Sequence, residues 1–133
     1  MKTVMAFGSF DILHEGHKAY LREAKTYGDQ LIVVVARDAN IKKFKGKAPK
    51  HDELYRLDEI KKLDFVNLAV LGKESDIFSI FDGFRPDIIC LGYDQSTASE
   101  EKINVELKKR NLKARIVRAK PYAPERFKSS LLR

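Results

Sequence analysis

The sequence predicts an α/β fold, an open parallel sheet of five strands with helices on both faces. Three observations predict it. Apolar, β-prone runs alternate with amphipathic stretches, the links between them are short, and Leu31–Ala36 is apolar at every position. A strand buried on both faces reads as such a continuous run, whereas a half-exposed strand alternates apolar and polar residues. Strands that alternate with helices through short links assemble into a parallel sheet covered by those helices.

The first strand is Thr3–Phe7, followed by a helix over His17–Tyr27 with Gly28 as its stop. Leu31–Ala36 is the second strand. Lys42–Lys50 is too basic, and too broken by Gly46 and Pro49, to predict a regular element. Asp52–Leu63 carries Leu54, Leu57, Ile60 and Leu63 at helical spacing behind Asp52, an N-cap residue. Phe65–Leu71 is the third strand, and Ser75–Phe84 a helix ending near Gly83 and Pro86. Asp87–Leu91 is the fourth strand, Ser99–Asn111 the last clear helix with Ile103 and Leu107 inward, and Ala114–Val117 the fifth strand. Lys120–Arg133 predicts only the start of a helix. No repeat, low-complexity segment or linker divides the 133 residues, so one domain over 1–133 is expected. This layout is Rossmann-like.

A hydrophobic share of 44% suits a globular protein. No apolar run approaches the roughly 18–20 residues that span a bilayer. Met1–Phe7 runs directly into Gly8 and Asp11 without the apolar core of a signal peptide, so a cytoplasmic location without membrane contact is expected. Cys90 is the only cysteine, which excludes an internal disulfide and a thiolate metal cluster. Its setting, Asp87-Ile88-Ile89-Cys90-Leu91, reads as a small core residue rather than a reactive thiol. The net charge of +7, from 26 basic and 19 acidic residues, suits nucleic acid, an anionic membrane face or phosphate-rich ligands. A solvated lysine-rich surface gives the same number. No helix-turn-helix pattern, zinc knuckle or aromatic platform supports nucleic acid, so none is expected as a partner.

Sheets of this kind bind ligands beyond the carboxyl ends of their strands, where strand order reverses. Working loops are therefore expected after strands one, two, four and five. The decisive segment is Gly8-Ser9-Phe10-Asp11-Ile12-Leu13-His14-Glu15-Gly16-His17, between strand one and helix one. Gly8 lets the backbone leave the strand sharply, and Gly16 lets it approach a ligand closely. The helix start offers unpaired N–H groups and a positive dipole end, a seat for phosphate. His14 and His17, three apart at that start, project to the same side. A zinc site built on these two histidines lacks the Cys and Glu ligands it needs, so no protein-held metal is expected. Asp11 is expected to organise the turn by accepting backbone N–H bonds. Glu15 is expected to contribute a backbone group, and His51 to be a surface or helix-start residue.

Lys43, Lys45 and Lys47 follow strand two, where they either meet phosphate as mobile charges or form a solvated run. In Leu91-Gly92-Tyr93-Asp94-Gln95, Asp94 either faces the nucleotide ribose or is a plain turn residue. Arg126 and Lys128-Ser129-Ser130 offer a cation, hydroxyls and N–H groups at a predicted helix start, again suited to phosphate.

The first of these segments resembles the GxFDxxHxGH signature of the cytidylyltransferase-like nucleotidyltransferases, and Lys128-Ser129-Ser130 partly matches the superfamily's second signature. By that resemblance His14 and His17 contact a triphosphate and stabilise charge as its α-phosphate is attacked; Lys45, from the lysine run after strand two, is the further catalytic residue expected. Leu31–Asp38, Arg85–Gln95, Ile116–Arg118, Tyr122 and Ser129-Ser130 are similar to archaeal-type FAD synthases over nearly the whole chain. This implies transfer of AMP from ATP to FMN, with pyrophosphate released. It further implies a divalent metal, Mg²⁺, carried on the nucleotide phosphates. The implied nucleotide site comprises Gly8, Ser9, Phe10, His14, Glu15, Gly16, His17, Asp94, Tyr122, Ser129 and Ser130. A homodimer is implied by the superfamily. The archaeal enzymes carry a cysteine before the paired serines, whereas Tyr122–Phe127 has none, so any redox dependence of that thiol does not carry over. Sister families leave a CTP-dependent enzyme acting on glycerol 3-phosphate or a sugar phosphate as the alternative. Outside catalysis stand a basic nucleic-acid-binding protein and a silent nucleotide sensor, the latter opposed by the intact His14 and His17.

Overall fold

Strands β1 (Thr3–Gly8), β2 (Gln30–Val35), β3 (Leu68–Leu71), β4 (Ile88–Leu91) and β5 (Arg115–Arg118) form one parallel sheet in the order β3-β2-β1-β4-β5. The computed structural model describes residues 1–92 and 97–120, the side chains of 97–99 apart. The expected Rossmann-like α/β layout is borne out. The chain builds outward through β2 and β3 on one side of β1 and through β4 and β5 on the other, so the gap between β1 and β4 is the expected ligand crevice.

Successive strand residues point to opposite faces, and the two faces pack separate cores. Val4, Ala6, Val33, Val35 and Cys90 pack with Leu21 and Ala24 of α1 (Glu15–Thr26) and Ile60 of α3 (Glu53–Lys61). Met5, Ile32, Val34, Ile89 and Leu91 pack with Ile80 and Phe81 of α4 (Ile80–Gly83) and with Ile103 and Leu107 of α5 (Thr97–Lys109). Cys90 is fully buried, and burial pushes its thiol up to about 12, so it is the core residue its setting predicts.

Three expectations need correction. Lys42–Lys50 is not wholly irregular, because α2 (Asp38–Lys45) runs into it. This helix starts upstream of the lysines, and buried Asn40 and Ile41 anchor it. Basic Lys42, Lys43 and Lys45 suit its negative C-terminal end. Gly46, at φ 81°, ends it by donating its N–H to the Lys42 carbonyl at 2.8 Å. Leu54 faces outward, 67% exposed, and the fully buried side chain of α3 near it is Arg56. The Ser75–Phe84 helix is broken into a 3₁₀ turn, Ile77–Ser79, and the short α4, with Asp76 accepting the Phe78 N–H. Asp52 is the expected N-cap, accepting the Tyr55 N–H at 2.8 Å. Among the described residues no helix is long and apolar enough to cross a membrane.

β1 pairs with β4 only as far as Ala6↔Cys90, but with β2 as far as Gly8↔Val35. Beyond Ala6 the two halves of the sheet part, and the Tyr20 hydroxyl of α1 spans the opening. It donates to the Cys90 carbonyl at 2.7 Å and accepts the Phe7 N–H at 3.3 Å. Tyr20→Phe leaves these strand-end groups short of a partner. It should cost about 1–3 kcal/mol, read as a lower urea midpoint with an unchanged slope.

Candidate active site

The turn after β1 ends at His14, which is the N-cap of α1. A reciprocal pair of bonds sets the two imidazoles. His14 Nδ1 accepts the Gly16 N–H at 3.1 Å, and His17 Nδ1 accepts the His14 N–H at 3.4 Å. The rings stack with centroids 3.8 Å apart. A neutral imidazole whose Nδ1 accepts carries its proton on Nε2. Both histidines are thus arranged as Nε2–H donors beside a helix start, whose remaining N–H groups favour an anion. Glu15 is the first residue of this helix, its side chain exposed beside Lys18.

Phe10 sits at φ 53°, a conformation that costs a bulky residue about 1–3 kcal/mol. Burial offsets that cost. The ring is 3% exposed, meets His17 edge-on at 5.4 Å and lies directly over Gly8. A Cβ at Gly8 would come within 2.6 Å of the Phe10 ring. Gly8 is therefore glycine because Phe10 occupies the space, and not because the turn needs a positive φ.

Asp11 organises structure as expected, though across a longer span. Its carboxylate accepts the N–H groups of Lys50 and His51 at 2.8 and 2.9 Å. Burial pushes its pKa up, but these bonds, with His51 and Arg56 nearby, outweigh that and hold it below the ordinary value. Arg56 completes the clamp from within. Its side chain is fully buried; Nε donates to the His51 carbonyl, and Nη1 to the carbonyls of Ser9 and Ala36, all at 2.8–2.9 Å. Nη2 pairs with Asp38 at 2.7 Å. One guanidinium thus fixes the ends of β1 and β2, the start of α2 and the entry to α3. Residue patterning missed Arg56 because an arginine inside an amphipathic helix reads as surface. His51 stacks on Tyr55 at 4.3 Å, and its backbone serves both halves of the clamp.

Beside this turn, on the α4–α5 face of the sheet, lies a cavity of about 420 Å³. Gly8 and Ser9 line it at the turn, Asn40, Ile41, Phe44 and Lys45 from α2, and Gly72 and Lys73 after β3. Phe7, Phe78, Phe81 and Ile103 supply apolar wall, and Lys102 a further cation. The structure thus brings Lys45 to the same cavity as Gly8 and Ser9, but Lys43 and Lys47 do not line it. The segment after β3 was not among the expected working loops; the Gly72-Lys73 pair at a strand end was the available signal. Asp94, Tyr122, Arg126, Lys128, Ser129 and Ser130 lie outside the described residues. Among the described residues no three of His, Cys, Asp and Glu converge to hold a metal ion.

A parallel sheet with two histidines at the helix start beside its reversal point is the arrangement expected of a nucleotidyltransferase. Residues 5–133 match the cytidylyltransferase-like family. A FAD synthase of Aciduliprofundum boonei is 45% identical over 92% of this chain and 80% of its own length. A FAD synthase of Thermoplasma acidophilum is 44% identical over 100% of this chain and 92% of its own. The crystal structure of a Thermoplasma volcanium protein, described as a lipopolysaccharide core biosynthesis protein, superposes with a TM-score of 0.84. It is 45% identical, covering 92% of this chain and 98% of that one. The chain belongs to the cytidylyltransferase-like family, in the group that contains these FAD synthases.

Replacing Arg56 with Met strands three carbonyls and Asp38. The variant should lose about 3 kcal/mol or more in urea unfolding, and its turnover should fall because both loop ends are released. Asp11 has a lowered folded pKa, so its stabilisation is present above the ordinary value of about 3.9 and is lost as pH falls through the folded value. The stability advantage of wild type over Asp11→Asn should therefore be full at pH 7 and shrink as the pH drops below about 4.

Proposed function

We infer that this chain is an FMN adenylyltransferase, which joins AMP from ATP to FMN and releases pyrophosphate. Its near-full-length similarity to FAD synthases carries the reading, and the geometry of the first turn supports it.

ATP lies with its phosphates over the Gly8–His17 turn, held by Ser9, Phe10, Glu15 and Gly16 and by the α1 N–H groups. An oxygen of the FMN phosphate attacks the α-phosphorus in line. The bond from that phosphorus to the bridging oxygen of the leaving group breaks, and pyrophosphate departs. The attacking phosphate is already anionic, so no general base is required. Charge builds on the α-phosphate oxygens, where His14 and His17 donate from Nε2. Lys45 approaches from the cavity side as a point charge. Asp94, Tyr122, Ser129 and Ser130 complete the nucleotide site in this reading. Mg²⁺ on the phosphates supplies further charge neutralisation when bound. The chain acts as a single domain over residues 1–133, in the cytoplasm.

A sugar phosphate is the second acceptor class, set beside a Thermoplasma volcanium relative described as a lipopolysaccharide core biosynthesis protein. The cavity argues against it, because its walls are mostly apolar and sugar hydroxyls need polar partners.

Incubation with ATP or CTP and a panel of phosphorylated acceptors, read by pyrophosphate release, separates the two. ATP with FMN should give pyrophosphate and a loss of flavin fluorescence as FAD forms. His14→Ala should lower turnover by about 10²–10³, the scale of one lost oxyanion-type donor. Near-normal turnover in that variant would remove His14 from the mechanism.

A further inference from the structure

The cavity beside the first turn is walled chiefly by carbon, yet one buried polar atom on its lining residues is unpaired. Asn40 is 8% exposed and donates its Nδ2 to the Glu74 carbonyl at 3.1 Å. Its Oδ1 is buried and has no hydrogen-bond partner among the described residues. Buried polar atoms are paired in the great majority of cases, so an orphan acceptor on a residue that lines the cavity has capacity for a ligand N–H once the side chain turns toward it. One helical turn further along α2 stands Phe44, which also lines the cavity although it is 73% exposed. Asn40, Ile41, Phe44 and Lys45 form one stripe of α2 along the cavity wall.

We propose that this cavity is the flavin-ring subsite of the acceptor, with Asn40 reading the imide edge and Phe44 covering the ring. The proposal rests on the FMN reading above. The isoalloxazine is flat and largely apolar, matching the wall formed by Phe7, Phe78 and Phe81. Its polar edge carries one N–H, at N3, between two carbonyls, and Asn40 Oδ1 accepts from that N3–H. Phe44 stacks on the outward face of the ring, which gives an exposed phenylalanine a use. Gly8 and Ser9 belong to both the cavity and the first turn. The ribityl chain therefore runs from the ring toward that turn and delivers its phosphate beside the nucleotide. Lys45, Lys73 and Lys102 place positive charge around the same cavity. The volume of about 420 Å³ lies in the range of about 300–1,000 Å³ usual for small-ligand sites. Adenine also has a flat face, and its occupancy here is the competing outcome.

Steady-state kinetics on the full chain separates these outcomes, with FMN binding followed independently by fluorescence anisotropy. Phe44→Ala should fold normally, since the side chain is largely exposed, and raise the KM and Kd for FMN about tenfold while leaving the KM for ATP unchanged. Wild-type protein should bind N3-methyl-FMN at least about tenfold more weakly than FMN, because the methyl group removes the donor that Asn40 accepts. Asn40→Leu should bring the two flavins to similar, weak affinity. A rise in the KM for ATP rather than FMN in Phe44→Ala would assign the cavity to adenine and overturn the proposal. Equal affinity of wild type for FMN and N3-methyl-FMN would overturn the Asn40 contact. If wild-type protein binds FMN with these preferences yet forms no FAD, the catalytic reading falls and the subsite stands.

Discussion

The working end of the sheet depends on the buried guanidinium of Arg56. Past the Gly8↔Val35 pair the last backbone bond runs from the Ala36 N–H to the Gly8 carbonyl, and the Ser9 and Ala36 carbonyls take a side-chain donor instead. Arg56 supplies it, and reaches Asp38 and His51 with its remaining N–H groups. Asp11 grips the same segment from the other side through the Lys50 and His51 amides. His51 is thus held by its N–H and its carbonyl at once. A planar, permanently charged group suits this task because its five donors diverge in one fixed fork. The first turn, α2 and the entry to α3 consequently share one frame, which carries Ser9, His14 and His17 together with Asn40, Phe44 and Lys45.

The asymmetry between the sheet faces explains why there is a cavity. On one face α1 and α3 cover the strands with long apolar contacts. On the other, α4 is only four residues long and follows a single 3₁₀ turn. Ile103 and Leu107 of α5 cover part of that face, and Phe7, Val34, Phe78 and Phe81 are left to line a cavity that α2 borders. An incomplete layer at the reversal point provides a concave, largely apolar site without any special loop.

The strands were legible because burial on both faces leaves nearly unbroken apolar runs, as in β2; β4 and β5 differ from expectation by one residue at a boundary, whereas β3 begins at Leu68 and not at Phe65. The first turn was legible because glycine, aspartate and two histidines at fixed spacing have few other uses. The α2 helix was not, since its anchors Asn40 and Ile41 precede the lysines and only one of them is apolar. Arg56 was hidden for a related reason: hydropathy counts its charge and cannot count the carbonyls that await it. Leu54 held the apparent apolar stripe and proved to lie outside it. Gly8 was singled out correctly but for the wrong cause, because steric exclusion by a side chain two residues on leaves no trace in a sequence pattern.

That exclusion also shapes how the turn can vary. Gly8 and Phe10 behave as a single unit, since the ring fills the volume in which a β-carbon at position 8 would sit. A side chain at position 8 requires the ring to shift, and removing the ring takes away the edge contact with His17 and empties part of the core. Each change alone disturbs the packing that the other residue supplies, so single-step routes away from this pair pass through a strained turn. The two positions are therefore expected to show sign-dependent epistasis in a mutational scan, a property of shared volume rather than of chemistry.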